Sequence, residues 1–287
     1  MGEILGIDVS HHQGRIDWQK VANSGKKFVI MKCQYEAQSH RKDECFDYNY
    51  AESGKYGLSR GVYLYVAGAS IADPKADAEA LIKNLTGKNL EYGIWLDFED
   101  RTLEAKGKGF IRDLAYLYRD IFSKNGYFVG IYCNKDWYTR LIHEDLKKDF
   151  DFWIARYPRN DTGVYDPTSS LKPSNSIAVA WQYSSKGRVD GISTNVDLNV
   201  DYDGVIKLYA SAPIKSYKPI TPELILAICN GDYGTGEIRR NKLVAQGYNY
   251  DDVRKKINDL DKIARDLLPT IKNKAGEYYQ SVISLMH

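Results

Sequence analysis

Residues 94–100, Ile-Trp-Leu-Asp-Phe-Glu-Asp, set two carboxylates two positions apart behind an apolar approach. In an extended chain alternate side chains share a face, so Trp95, Asp97 and Glu99 point one way while Ile94, Leu96 and Phe98 point the other. At a rise of about 3.3 Å per residue the two acidic positions lie roughly 6.6 Å apart along the backbone. That is close enough for each acid to change the proton affinity of the other. Two neighbouring acids of unequal pKa, one keeping its proton and one staying charged, are what cleavage of a glycosidic bond requires. The alternative for an Asp-x-Glu at a strand end is structural, as a cap on a following helix or a partner for a lysine. The apolar approach favours chemistry, because such a strand suits the inner sheet of an α/β barrel, where the active site gathers past the C-terminal strand ends.

Two further acids fall at strand ends, Asp8 closing Leu-Gly-Ile-Asp and Asp197 within Asn195-Val196-Asp197-Leu198-Asn199. Brought to one mouth, Asp8, Asp97, Glu99 and Asp197 would form a strongly negative pocket in which one acid must hold its proton near neutral pH. Glu99 is the expected proton holder, being longer, further toward the loops and next to the Asp97 anion. Tyr63, Tyr65, Tyr132, Trp153, Tyr157 and Trp181 lie near the same strand ends and are candidate sugar platforms, with core packing the competing role. His11 and His12 are adjacent in sequence, and such pairs rarely converge on one ion, so no metal and no cofactor is expected.

The elements that must position these residues alternate from residue 1 to about 208 in the manner of an α/β fold with a largely parallel sheet. Strands are expected at 3–8, 27–33, 60–66, 92–98, 127–132, 151–155 and 178–183, with helices over 72–84 and 103–125. Toward residue 200 the strands crowd together, so the expected fold is a TIM-like (β/α) barrel that turns irregular in its last third. Residues 209–220 read as a linker. Beyond it, 221–260 reads as a small all-α three-helix module. Thr221-Pro222 and Thr235-Gly236 open two helices that Gly231 and Gly247 close, and Asn249 caps a third. Residues 261–287 form a helical tail broken near Pro269, with its packing left open.

At 287 residues the chain has room for one large and one small domain. A net charge of +2 without a basic stripe argues against a nucleic-acid partner, whereas 23 Tyr and 5 Trp suit carbohydrate handling. The four cysteines, at 33, 45, 133 and 229, show no C-x-x-C and demand no disulfide. The N-terminus enters a strand at once, so synthesis in the cytoplasm without a signal peptide is expected, and no apolar run reaches membrane-spanning length.

Leu5-Gly6-Ile7-Asp8-Val9-Ser10 with Gln13-Gly14, the Asp97-Phe98-Glu99 strand end, Gly130-Ile131-Tyr132, Trp153-Ile154-Ala155-Arg156-Tyr157, Trp181-Gln182-Tyr183-Ser184 and Val196-Asp197-Leu198-Asn199 together resemble glycoside hydrolase family 25, the Chalaropsis-type lysozymes. The resemblance covers residues 4–205 in the family's order. It implies an irregular β/α barrel and hydrolysis of the β-1,4 bond between N-acetylmuramic acid and N-acetylglucosamine in bacterial peptidoglycan. It further implies that Glu99 is the general acid, with Asp97, Asp8 and Asp197 lining the cleft around it. One departure is visible: where many members read Gly-x-Tyr-His-Phe, this chain reads Gly61-Val62-Tyr63-Leu64-Tyr65.

The stretch Ile228, Gly231-Asp232-Tyr233-Gly234-Thr235-Gly236, Arg239, Leu243, Gly247-Tyr248-Asn249-Tyr250 resembles the short Cpl-type repeat that anchors some phage lysins to muropeptide, which points to Arg239, Tyr233 and Tyr248 as wall contacts. The combined resemblance implies an endolysin or autolysin, with a phage lysin depending on a partner holin for release. Two other readings stay open at this level, a chitinase-like barrel glycosidase and a non-catalytic wall-binding protein.

Overall fold

The computed structural model describes residues 2–34, 40–202, 218, 220–248, 250, 253–254, 256–261, 263–267 and 274. The chain divides into two compact units, Met1–Ile214 and Lys215–His287.

In the first unit eight strands close into a barrel: β1 (Ile4–Val9), β2 (Phe28–Lys32), β3 (Ser59–Tyr65), β4 (Ile94–Asp97), β5 (Val129–Asn134), β6 (Phe152–Ala155), β7 (Ala180–Gly187) and β8 (Val196–Asp201). Strands β1 to β7 pair in parallel, each with the next. The last strand, β8, runs antiparallel to both neighbours, and its pairing with β7 is broken by register shifts between Gln182 and Ser184 and between Ser184 and Gly187. The expected irregularity is therefore a reversed strand, with Asp197 at its start and not at its close. Its reversal matters for the site, because Asp197 at the start of β8 stands opposite Asp8 near the end of β1.

Alternation along the strands divides the barrel into two apolar layers. Phe28, Ile30, Tyr92, Trp95, Tyr132, Trp153 and Ala180 fill the interior. Ile7, Val29, Met31, Val62, Leu64, Ile94, Leu96, Ile131 and Ile154 face outward to the helices. Glycine makes room for the large rings inside. A Cβ on Gly130 would lie 2.4 Å from the Trp95 ring, and one on Gly6 would lie 2.5 Å from the Phe28 ring.

The helices that cover the barrel follow their amphipathic patterns. The longest, Gly107–Lys124, buries Ile111, Leu114, Ala115, Tyr118 and Phe122, one stripe at helical spacing. The helix Pro74–Asn84 begins at Pro74 behind the capping carboxylate of Asp73, two residues inside the predicted start. Two helices matter further on, α1 (Trp18–Asn23) and α2 (Phe46–Lys55).

The second unit contains Pro222–Cys229, capped by Thr221, and Gly236–Ala245, with helical residues again between 253 and 267. Leu224, Ile228, Leu243 and Val253 form its small core. Gly231 and Gly247, with φ of 92° and 86°, adopt the left-handed conformation that ends a helix. Asn249 and nearly all of the expected linker lie outside the described residues. Among the described residues no helix is long and apolar enough to cross a membrane.

Candidate active site

The barrel mouth holds a cavity of about 190 Å³ lined by Asp8, His12, Lys32, Tyr63, Tyr65, Asp97, Glu99, Tyr132, Trp153, Gln182 and Asp197. All four acids singled out in the sequence meet there. Parallel register brings Tyr65 beside Asp97 and Tyr63 beside Lys32, so strand pairing itself builds the wall.

The capping role open to an acid after β4 falls to Asp100. Its carboxylate accepts the Thr102 N–H at 2.8 Å and the Tyr65 hydroxyl at 3.2 Å, at the start of the helix Arg101–Glu104. Asp97 is only 5 % exposed, whereas Glu99, two residues on, stands open to solvent at the rim.

Asp8 is held from two sides. Gln182 Nε2 and Asn199 Nδ2 both donate to its Oδ2, at 2.7 and 2.8 Å. Each amide is oriented by donors at its own oxygen. Tyr132 donates to Gln182 Oε1 at 2.7 Å, joined there by the Tyr157 hydroxyl, and the Trp153 indole N–H donates to Asn199 Oδ1 at 2.9 Å. Both amides must therefore present N–H to Asp8.

Asp8 and Asp197 face each other across the β1–β8 pairing and share a hydrogen bond. Burial pushes Asp8 up to about 6 against the pull of its Asn199, Gln182 and Asp197 hydrogen bonds. Burial, the Asp8 charge and the hydrogen bond to Asp8 push Asp197 further, to about 8. Both directions favour one proton shared by the hydrogen-bonded pair near neutral pH, where two adjacent charges would repel.

Glu99 also binds its proton more tightly than an ordinary glutamate. Although its surface is open, protein crowds the carboxyl group, and this desolvation raises its pKa, aided by the Asp8 and Asp100 charges and opposed by the Lys32 ammonium. A carboxyl group that is accessible and slow to ionise can donate a proton to a bound molecule.

Sequence reasoning missed Lys32, Gln182, Asn199 and His12 as parts of this site. For Lys32 a signal existed, since it is the one charged residue in the strand Phe-Val-Ile-Met-Lys. Trp181 needs correction as a sugar platform. It is 2 % exposed, donates its indole N–H to the Arg156 carbonyl and packs in the outer layer near Tyr165 and Tyr183, because alternation along β7 turns Gln182 inward instead. Trp153 reaches the cavity, but its indole N–H is engaged by Asn199. Tyr157 sits at the edge of the network as a partner of Gln182. His11 is committed to Asp43, Nδ1 to Oδ2 2.9 Å, so the two histidines do different things.

In the second unit Arg239 lines a small hollow with Tyr250, Val253, Arg254, Ile257 and Asn258. Tyr233 and Tyr248 do not line it; both pack against the helical core, and the Tyr233 hydroxyl donates to Gln246 Oε1 at 2.6 Å. The expected trio therefore separates.

A family model described as glycosyl hydrolases family 25 matches residues 7–192. A second, described as the CW_7 repeat, matches residues 223–260, and it replaces the Cpl-type assignment expected for that stretch. Lysozyme M1 of Streptomyces globisporus is 29 % identical over 223 residues, covering 73 % of this chain and 71 % of that protein. The autolytic lysozyme of Clostridium acetobutylicum is 27 % identical over 201 residues, 70 % of this chain and 56 % of that protein. Among solved structures, the modular autolysin LytC of Streptococcus pneumoniae, in complex with a synthetic peptidoglycan ligand, is similar with a TM-score of 0.58 and 27 % identity. That match covers 70 % of this chain and 47 % of LytC, so the chain spans about half of that autolysin.

Proposed function

Because the chain belongs to glycosyl hydrolases family 25, we propose that its barrel mouth is the active centre of a lysozyme that hydrolyses the β-1,4 bond between N-acetylmuramic acid and N-acetylglucosamine in bacterial peptidoglycan. The enzyme is a glycoside hydrolase, an N-acetylmuramidase. The observation that carries the assignment of roles is the meeting of four acids at one mouth, with a solvent-accessible Glu99 of raised proton affinity beside buried Asp97 and a hydrogen-bonded pair of buried Asp8 and half-buried Asp197.

In this reading Glu99 donates its proton to the glycosidic oxygen as the bond to the anomeric carbon breaks. Asp97, on the same inner face and deeper in the cavity, steadies the positive charge that develops on the sugar. The Asp8–Asp197 pair carries one negative charge, not two, which limits repulsion while keeping a fixed anion and a donor for sugar or water. Tyr63 and Tyr65 offer flat faces to the sugar rings, and Lys32 keeps the proton on Glu99 from binding too tightly to leave.

The second unit is proposed as a wall anchor, on the strength of its CW_7 repeat, with Arg239 as the wall contact its hollow favours. Tethering a weak binder to a hydrolase that works on a polymer raises the local concentration of substrate without new contacts at the mouth.

Glu99→Gln keeps the shape and removes the proton. Loss of turbidity of purified bacterial walls should slow by at least about a hundredfold, with the melting temperature unchanged. Lysis at the wild-type rate would remove Glu99 from the role of acid.

A further inference from the structure

The barrel wall carries a second hollow that the mechanism above leaves unused. Between α1 and α2 lies a groove of about 380 Å³, against about 190 Å³ for the mouth, lined by Arg15, Asp17, Trp18, Tyr48, Glu52 and Tyr56. Trp18 is 1 % exposed, yet its indole N–H has no hydrogen-bond partner among the described residues. Buried donors without acceptors are rare in folded proteins, and this one belongs to a side chain of the groove.

Arg15 sets its guanidinium 4.2 Å over the Tyr48 ring, and the Tyr48 hydroxyl donates to the Ile16 carbonyl at 2.8 Å, which ties ring and cation to one loop. Two acids line the same groove. Asp17 caps α1 through the Lys20 N–H and pairs with Lys20 Nζ at 3.4 Å, and Glu52 pairs with Lys55 Nζ at 3.5 Å, both with cations on their own helix or its cap. A cation, two anions and tyrosine faces in one hollow suit a short polar ligand bearing both carboxylate and amine groups.

The groove is built at a fixed distance from the mouth. His12 lines the mouth and Arg15 lines the groove, so three residues, at most about 11 Å of chain, separate the two walls. That loop is pinned by the Ser10–Gln13 capping box, by Gln13 Nε2 donating to the Asn195 carbonyl at 3.2 Å and by Asp17 N–H donating to the Gly191 carbonyl at 3.0 Å.

We propose that this groove binds the stem peptide carried by the glycan substrate, with Arg15 receiving a peptide carboxylate and Asp17 and Glu52 receiving its amine. The proposal rests on the muramidase reading of the mouth, since it supplies a peptide-bearing glycan within reach. It predicts that stem peptides lower KM and leave kcat nearly unchanged, because the contact lies away from the reacting bond.

Two measurements test it on the full chain. In the first, the synthetic tripeptide L-Ala-γ-D-Glu-L-Lys is titrated into ¹⁵N-labelled protein while the Trp18 indole signal is followed, assigned by its loss in Trp18→Phe. The signal should move in the wild type and stay still in the Arg15→Ala/Glu52→Ala double variant; no movement at millimolar peptide overturns the proposal whatever the mouth cleaves. In the second, KM and kcat are compared on glycan strands with stem peptides and on the same strands stripped by an amidase. The double variant should raise KM on peptide-bearing strands about tenfold and leave kinetics on stripped strands unchanged. Equal losses on both substrates, or a wild type indifferent to the peptides, would overturn the proposal. A wild type that cleaves neither substrate would instead sink the muramidase reading, and the titration would still decide the groove.

Discussion

The pairing of β1 with β8 carries an acid at each end, and the two ends behave differently. At the mouth Asp8 faces Asp197. Near the opposite end of the same pairing Ile4 faces Asp201, which is fully buried and accepts the Tyr92 hydroxyl at 2.9 Å. Around Asp201 the barrel is filled with Phe28, Tyr92 and Trp95, the first two stacked at 4.4 Å between centroids. Around Asp8 the same alternation delivers Lys32, Tyr63, Asp97 and Gln182. One geometric rule, every second residue inward, therefore produces a packed floor and a charged mouth. Depth in the barrel decides whether a polar inward residue serves stability or chemistry.

The sharpest way to break this contrast is to alter each end alone. At the mouth Asp97→Asn removes a charge and keeps volume. It should lower kcat on peptidoglycan by about a hundredfold while a thermal melt stays within a degree or so of wild type; a large loss of stability with activity per folded molecule intact would move Asp97 to the floor's category. At the floor Tyr92→Phe strips the hydroxyl from Asp201. The expected cost is about 2 kcal/mol of unfolding free energy, read by urea denaturation, with kcat unaltered. A Tyr92→Phe enzyme that is stable but slow would contradict the division.

The smallest effect expected concerns pH. Asp197 binds its proton more tightly in the folded chain, at about 8 against an ordinary 3.8, and Asp8 at about 6. For acids whose pKa is raised on folding, the stabilisation is present below the unfolded value and is lost as pH rises through the folded one. Wild-type stability should therefore fall between about pH 4 and pH 8 through this pair. Asp197→Asn should flatten that decline, with a melting temperature above wild type at pH 8 and little difference at pH 4. Parallel stability curves for the two proteins would show that the pair is not the seat of the titration.

Much of the mouth was legible because period-two alternation is strong wherever a strand is buried on both faces. It puts Asp97, Glu99 and Trp95 on one face, and the structure sets Trp95 inside the barrel with Asp97 and Glu99 lining its mouth. Direction is a different matter. Val196-Asp197-Leu198-Asn199-Val200-Asp201 alternates cleanly, which places Asp197 on a strand, but periodicity carries no sign, so the reversal that puts Asp197 at the start of the strand is not legible in it. The same limit explains Trp181. Alternation separates it from Gln182, yet both faces of this strand are covered, and only the three-dimensional packing tells which side is the interior. Gln182 and Asn199 escaped notice because amides lack the titratable chemistry that drew attention to the acids, although their hydrogen bonds to Asp8 set that acid's state.

The most direct test of the central claim is mass spectrometry of the fragments released from purified peptidoglycan after borohydride reduction, which marks each new reducing end. Reduced muramic acid is the predicted result and would agree with Glu99 acting beside Asp97. Reduced glucosamine, or release without any new sugar end, would contradict it.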